Sequence, residues 1–138
     1  MAEIKKIGRF EGIYQSPKTD SEVKSLVILL HGWGADAADM FGLAPFLGRV
    51  KEGCAFYAPN APSPCAVSPN GRQWFDIQEG EKGAILAMEG LQELLINIFD
   101  EFSLSPSKVI LGGFSQGGMM TLAVGPLFEL AGLISFSG

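Results

Sequence analysis

One serine stands out for its neighbours. In Gly113-Phe114-Ser115-Gln116-Gly117 a glycine lies two positions to either side of the serine, and Gly118 follows. A chain that turns sharply from a strand into a helix lifts a serine hydroxyl clear of the sheet, and only small residues fit beside such a turn. The first N–H groups of the following helix point at the same place and favour developing negative charge. That combination suits Ser115 as a nucleophile attacking a carbonyl carbon. The plainer alternative is a Gly-rich turn whose serine caps a helix. A phosphate loop fits worse, because it needs Gly-Lys-Ser/Thr and Gly117 is followed by Gly118-Met119. The paired glycines at 112–113 and 117–118 also have the wrong spacing for a dinucleotide turn.

A second stretch, Leu30-His31-Gly32-Trp33-Gly34, follows an early apolar run. A turn in that position can supply half of an oxyanion hole. The expected donors are the backbone N–H of Trp33, from this turn, and that of Gln116, just after the serine. His31 is the single histidine of the chain. It is read as a structural turn residue rather than a general base, because in this arrangement the base follows the nucleophile in the chain. The third stretch is Gln73-Trp74-Phe75-Asp76. Its aromatics suit either an acyl-binding wall beside the nucleophile or a hydrophobic plug over the sheet edge. Asp76 precedes Ser115, which argues against it as a triad acid. Met119 and Met120 are read as core packing.

The elements that must position these residues can be laid out from pattern. Residues 8–16 alternate weakly, as a first strand or hairpin arm. The apolar runs at 25–30, 54–58 and 108–112 are short and continuous, as in strands buried on both faces, and 133–136 reads as a final strand. Asp36 can cap a helix over 37–48, with Met40, Leu43, Ala44 and Leu47 on one face and Pro45 breaking the pattern. A long loop with four prolines (Pro59, Pro62, Pro64, Pro69) covers 59–71. The spacing of Ile85, Met88, Leu91, Leu94, Leu95, Ile98, Phe99 and Phe102 predicts a helix over 81–102. A further helix is expected over 115–124, stopped by Gly125-Pro126. Strands alternating with helices predict an α/β fold: a mostly parallel sheet with helices on both faces, in a single domain over 1–138.

Composition narrows the function classes. With 47% apolar residues the chain can build a core. A net charge of −5 repels phosphate backbones and makes nucleic acid a poor partner. The first nine residues carry lysines but no apolar signal-peptide core. The longest apolar run, 26–30, is far too short to span a bilayer, so neither stable membrane insertion nor secretion is expected. A cytoplasmic setting follows as the simplest expectation. Cys54, in a strand, and Cys65, in a loop, match no metal or redox spacing and are read as reduced thiols.

Four segments together resemble a known family. Leu-His-Gly-Trp-Gly-Ala-Asp (30–36), Ala-Pro-Asn-Ala-Pro (58–62), Gly-Arg-Gln-Trp-Phe-Asp (71–76) and Gly-Phe-Ser-Gln-Gly-Gly-Met (113–119) are similar to the phospholipase/carboxylesterase family, which includes bacterial carboxylesterases and acyl-protein thioesterases. The resemblance runs from about residue 8 to the last residue. It implies the α/β-hydrolase fold and a serine hydrolase that needs no cofactor or metal. It implies small substrates: carboxylic esters, lysophospholipids or acyl thioesters. Ser115 would form the acyl-enzyme, Trp33 and Gln116 would hold the oxyanion, and Trp74 and Phe75 would border the substrate.

The sequence also departs from that family. Members carry a Gly-Asp-x-Asp-type segment for the triad acid and a Gly-His segment for the base. No Asp and no His follows Ser115 in these 138 residues. The fold is therefore expected to be truncated after the strand that follows the nucleophile helix. Three further expectations go with that. The chain alone hydrolyses esters near background, since a serine without a base is a weak nucleophile. Its last strand leaves a bare sheet edge. That edge favours self-association. The rival reading is a non-catalytic domain that binds acyl ligands or pairs with a partner through the same edge.

Overall fold

The computed structural model describes residues 2–17, 22–47, 53–65 and 70–136. Eight strands and four α-helices are present among them. The strands are β1 (Ala2–Ile7), β2 (Phe10–Gln15), β3 (Ser25–Leu30), β4 (Cys54–Pro59), β5 (Ser63–Pro64), β6 (Arg72–Gln73), β7 (Val109–Phe114) and β8 (Gly132–Phe136). The helices are α1 (Ala37–Phe41), α2 (Ala44–Leu47), α3 (Gly80–Phe102) and α4 (Gln116–Val124).

Six strands form one sheet in the order β1-β2-β4-β3-β7-β8. The pairs β3–β4, β3–β7 and β7–β8 are parallel. The hairpin β1–β2 and its junction to β4 are antiparallel. The sheet is thus parallel where the apolar runs predict it and antiparallel at the N-terminal edge. The reading of 8–16 captured β2 and missed β1, whose residues are mostly exposed and carry no alternating apolar signal. β5 and β6 form a separate two-residue ribbon inside the long loop.

Side-chain alternation splits the core into two layers. Leu26, Ile28 and Leu30 of β3, with Ala55 and Tyr57 of β4, pack against Leu91, Leu94, Leu95 and Ile98 of α3 and Met120 and Val124 of α4. Val27, Leu29, Phe56 and Ala58 point the other way, against Ala37, Met40 and Ala44. Helices therefore cover both faces, as the continuous apolar strands require. Burying such a side chain contributes roughly 1.5–3 kcal/mol, so α3's four buried aliphatics anchor it firmly. Ile85, on the same predicted stripe, is 47% exposed, because only the middle of α3 lies over the sheet.

Local readings needed adjustment in places. The helix predicted over 37–48 is two short pieces, broken at Gly42-Leu43, with Pro45 in the first turn of α2, where its missing N–H costs nothing. Leu43 is exposed rather than on the buried face. Gly48, the side chain of Leu47, Met1, Pro69, Ser137 and Gly138 lie outside the described residues. Asp36 does cap α1: its Oδ1 accepts from the Asp39 N–H at 3.1 Å, and the Asp39 carboxylate accepts from the Asp36 N–H at 3.1 Å. Met120 is buried, but Met119 is 51% exposed, one position round the helix from the core.

Candidate active site

Register brings the two turns together. In the parallel pairing of β3 and β7, Leu30 lies opposite Gly113. The chain leaves β3 at His31 and β7 at Ser115, so both turns emerge side by side at the same end of the sheet. A Cβ placed on Gly32 would lie 3.4 Å from the Cβ of Ser115.

The turn at Ser115 has the strained shape its glycines suggest. Ser115 adopts φ 55° and ψ −114°, a region that costs a non-glycine residue on the order of 1–3 kcal/mol. It lies between the end of β7 and the start of α4, and its side chain makes no capping hydrogen bond. The helix-cap alternative therefore does not describe it. A Cβ on Gly113 would strike the carbonyl of Gly117, and one on Gly117 would strike the carbonyls of Leu30 and His31, at separations real Cβ atoms do not reach. Both positions must be glycine for this turn to close against the neighbouring strand. The Ser115 N–H donates to the Phe136 carbonyl of β8 at 2.8 Å, which fixes the turn from its other side.

Two backbone donors stand free here. Among the described residues, neither the Trp33 N–H nor the Gln116 N–H has an acceptor. The Gln116 N–H is one of the unpaired donors that begin α4. Its neighbours in the first turn are Gly117 and Gly118, which carry no side chains of their own.

His31 is wholly buried and both ring nitrogens are engaged. Nε2 accepts the Ala61 N–H at 2.9 Å, so the proton sits on Nδ1, which donates to the Gly32 carbonyl at 2.8 Å. Burial is the main influence on the imidazole and pushes its pKa below the usual value, with Arg72 adding in the same direction. A neutral ring with no free nitrogen holds the turn and has no lone pair to offer a serine. The structural reading of His31 agrees with this geometry.

Trp74 is 3% exposed and lies in the core beside Phe10 and His31, with ring centroids 6.3 and 5.4 Å away. Its indole Nε1 donates to the His31 carbonyl at 2.8 Å. Its burial matches the plug reading, and its remaining surface contributes to a groove, as the wall reading asks. Phe75 is half-buried. It lines a groove of about 590 Å³ together with Phe10, Gln73, Trp74, Asp76 and Leu86, and Ser115 is not part of that lining. Asp76 accepts the Gln78 N–H at 2.9 Å and so starts the short turn before α3.

Sequence reasoning missed the side chains that tie these turns together. Gln116 is 3% exposed; its Oε1 accepts the Trp74 N–H at 2.7 Å and its Nε2 donates to the Phe75 carbonyl at 2.9 Å. Gln73 Oε1 accepts the Trp33 indole N–H at 3.0 Å. Arg72 donates to the Ala61 and Pro62 carbonyls. These bonds join positions 10 to 42 apart, and no local pattern announces them.

Comparison with known proteins agrees with this architecture. The family model described as Phospholipase/Carboxylesterase matches residues 15–138. The chain is similar to acyl-protein thioesterase 1 of Candida albicans, at 31% identity over 88% of this chain and 60% of that one. It is similar also to acyl-protein thioesterase 1 of Kluyveromyces lactis, at 33% identity over 83% of this chain and 57% of that one. Among solved structures, esterase PE8 superposes with a TM-score of 0.76 at 36% identity, covering 84% of this chain and 57% of that chain. The Bacillus cereus carboxylesterase shares the fold, with a TM-score of 0.72 at 19% identity over 93% of this chain and 59% of that chain. The chain thus spans about 60% of the length of these relatives. With its glycine-flanked serine turn, its His-Gly-Trp turn and its mixed sheet, the chain belongs to the phospholipase/carboxylesterase family of α/β-hydrolase proteins.

Proposed function

We propose that this chain carries the nucleophile and oxyanion hole of a serine hydrolase acting on carboxylic esters or acyl thioesters. The observation that carries the reading is the Ser115 turn: a strained serine with an uncommitted hydroxyl, beside two unpaired backbone donors. In the proposed reaction Ser115 Oγ attacks the acyl carbon while a base takes its proton. The N–H groups of Trp33 and Gln116 receive the negative charge on the carbonyl oxygen. Each donor contributes about 3 kcal/mol to the transition state. Collapse expels the alcohol or thiol, which leaves with the proton, and water then releases the acid from the acyl-enzyme.

The base is not His31, whose ring is buried and doubly bonded. The 138 residues by themselves are therefore expected to hydrolyse p-nitrophenyl acetate near background. Carried in its natural coding sequence, the protein is expected to react with a fluorophosphonate at Ser115, and Ser115→Ala is expected to abolish that labelling. Labelling that survives in the alanine variant defeats the reading. A cytoplasmic setting goes with it, supported by Cys54 and Cys65, which are both free thiols. No helix among the described residues is long and apolar enough to cross a membrane.

A second reading concerns assembly. β8 has no partner on its outer side among the described residues, and Leu133, Ile134 and Phe136 are 39%, 38% and 45% exposed. An open edge with apolar faces favours pairing with a second copy. Light scattering on the 138-residue chain decides it: a clean monomer at high concentration counts against it.

A further inference from the structure

The two donors of the proposed oxyanion hole come from turns more than 80 positions apart, and catalysis of that kind depends on their spacing being set in advance. Segment 71–75 crosses both turns. Toward the first, the Gly34 N–H donates to the Arg72 carbonyl at 2.9 Å and the Arg72 N–H donates to the Ala35 carbonyl at 2.9 Å. Gln73 holds the Trp33 indole, and Trp74 Nε1 holds the His31 carbonyl. Toward the second, the hydrogen bonds come from one residue: the Gln116 amide, which pairs with the Trp74 N–H and the Phe75 carbonyl as an adjoining strand would.

We propose that the Gln116 side chain is a positioning residue that locks its own backbone N–H, through segment 72–75, to the turn bearing the Trp33 N–H. This rests on the reading of Ser115 as the nucleophile. The backbone N–H would touch the reacting oxygen, whereas the side chain acts only through the segment it grips. The amide suits the task because it offers one acceptor, for the Trp74 N–H, and one donor, for the Phe75 carbonyl. Glutamate in its ionised form keeps the bond from the Trp74 N–H but sets a lone pair against the Phe75 carbonyl. Protonated glutamic acid restores both bonds.

Two variants and two readouts test this. The first readout is hydrogen exchange at the Gly34 and Arg72 amides, neither of which bonds to Gln116. Gln116→Ala is expected to speed exchange at both at least tenfold beyond any global change. The second readout is ester hydrolysis by the protein in its natural coding sequence, with kcat taken per fluorophosphonate-titratable serine. Gln116→Ala is expected to lower kcat about 10- to 100-fold with KM within twofold, as a small misplacement of oxyanion donors does. Gln116→Glu is expected to show a kcat, relative to the parent protein at the same pH, that rises as pH falls. A side chain that merely fills space would lower the titratable fraction, leave kcat per site unchanged and give a pH-independent ratio; that result overturns the proposal, as does unchanged exchange at Gly34 and Arg72. If the parent protein fails to label at Ser115, the nucleophile reading falls, and the exchange arm still decides whether the brace exists.

Discussion

The rim of the sheet where β3 and β7 end differs sharply from the flank formed by β8 and α4. At the rim, polar groups are buried and paired: Gln116 and Trp74 each make two hydrogen bonds across turns distant in sequence, and His31 makes one to Ala61 and one to its neighbour Gly32. On the flank, Met119 and Leu122 of α4, and Leu127 just after it, are half exposed or more. Buried hydrogen bonds at the rim join the turns after β3 and β7 to segment 72–75. The flank presents apolar surface with no described residue against it. Geometry at the rim is therefore set by specific bonds that fail individually, while the flank tolerates change residue by residue. A buried donor left without its partner costs about 1–3 kcal/mol, and a surface substitution usually stays within about 0.5 kcal/mol.

That contrast can be broken at several points. The largest effect is expected from Gly117→Ala, whose new Cβ meets the Leu30 and His31 carbonyls. Forcing backbone apart costs about 3 kcal/mol, and denaturant unfolding should register it together with loss of fluorophosphonate labelling. A variant of parent stability would show that the two turns are not locked together. Next comes His31→Phe, which keeps a ring beside Trp74 but orphans the Ala61 N–H. A loss of about 2 kcal/mol is expected by the same measurement.

The same histidine gives a pH signature. Burial lowers its folded pKa below the unfolded value of about 6.5. As pH falls, the unfolded chain takes up the proton first. The stability tied to neutral His31 is thus complete above about pH 6.5 and is lost as pH drops through the folded value. Between pH 7 and pH 5 the thermal midpoint of the parent chain should fall more than that of His31→Phe, which cannot titrate there; parallel curves would remove His31 from the account. The smallest effect is expected on the flank. Leu122→Gln and Ile134→Lys should each change unfolding free energy by less than about 0.5 kcal/mol while reducing self-association in light scattering. A cost above 1 kcal/mol at either would mean that this surface is covered after all.

The legible parts of the fold were those written in local pattern. The apolar runs of β3, β4 and β7, which burial on both faces makes continuous, appear within a residue or two of their expected places, as do the run of β8 and the stripe of α3. β1 was not legible: its pairing with β2 comes from backbone bonds, which leave no mark on side-chain type. The helix over 37–48 is interrupted, as Pro45 led one to expect, but at Gly42-Leu43 and not at the proline, because proline is accommodated in the first turn of α2.

The candidate site divides the same way. Sequence alone fixed the serine turn, since Gly113 and Gly117 are residue types that this backbone shape requires. It also fixed the order of His31 before Ser115, which argued against His31 as the base. Only tertiary structure showed what lies beside Trp74, because a buried plug and an exposed wall call for the same residue type and differ in their surroundings. The partners of the Gln73 and Gln116 side chains were set there too. A side-chain amide can pair with any peptide unit, so its partner is chosen by the register of β3 against β7 and by the path of the loop between them.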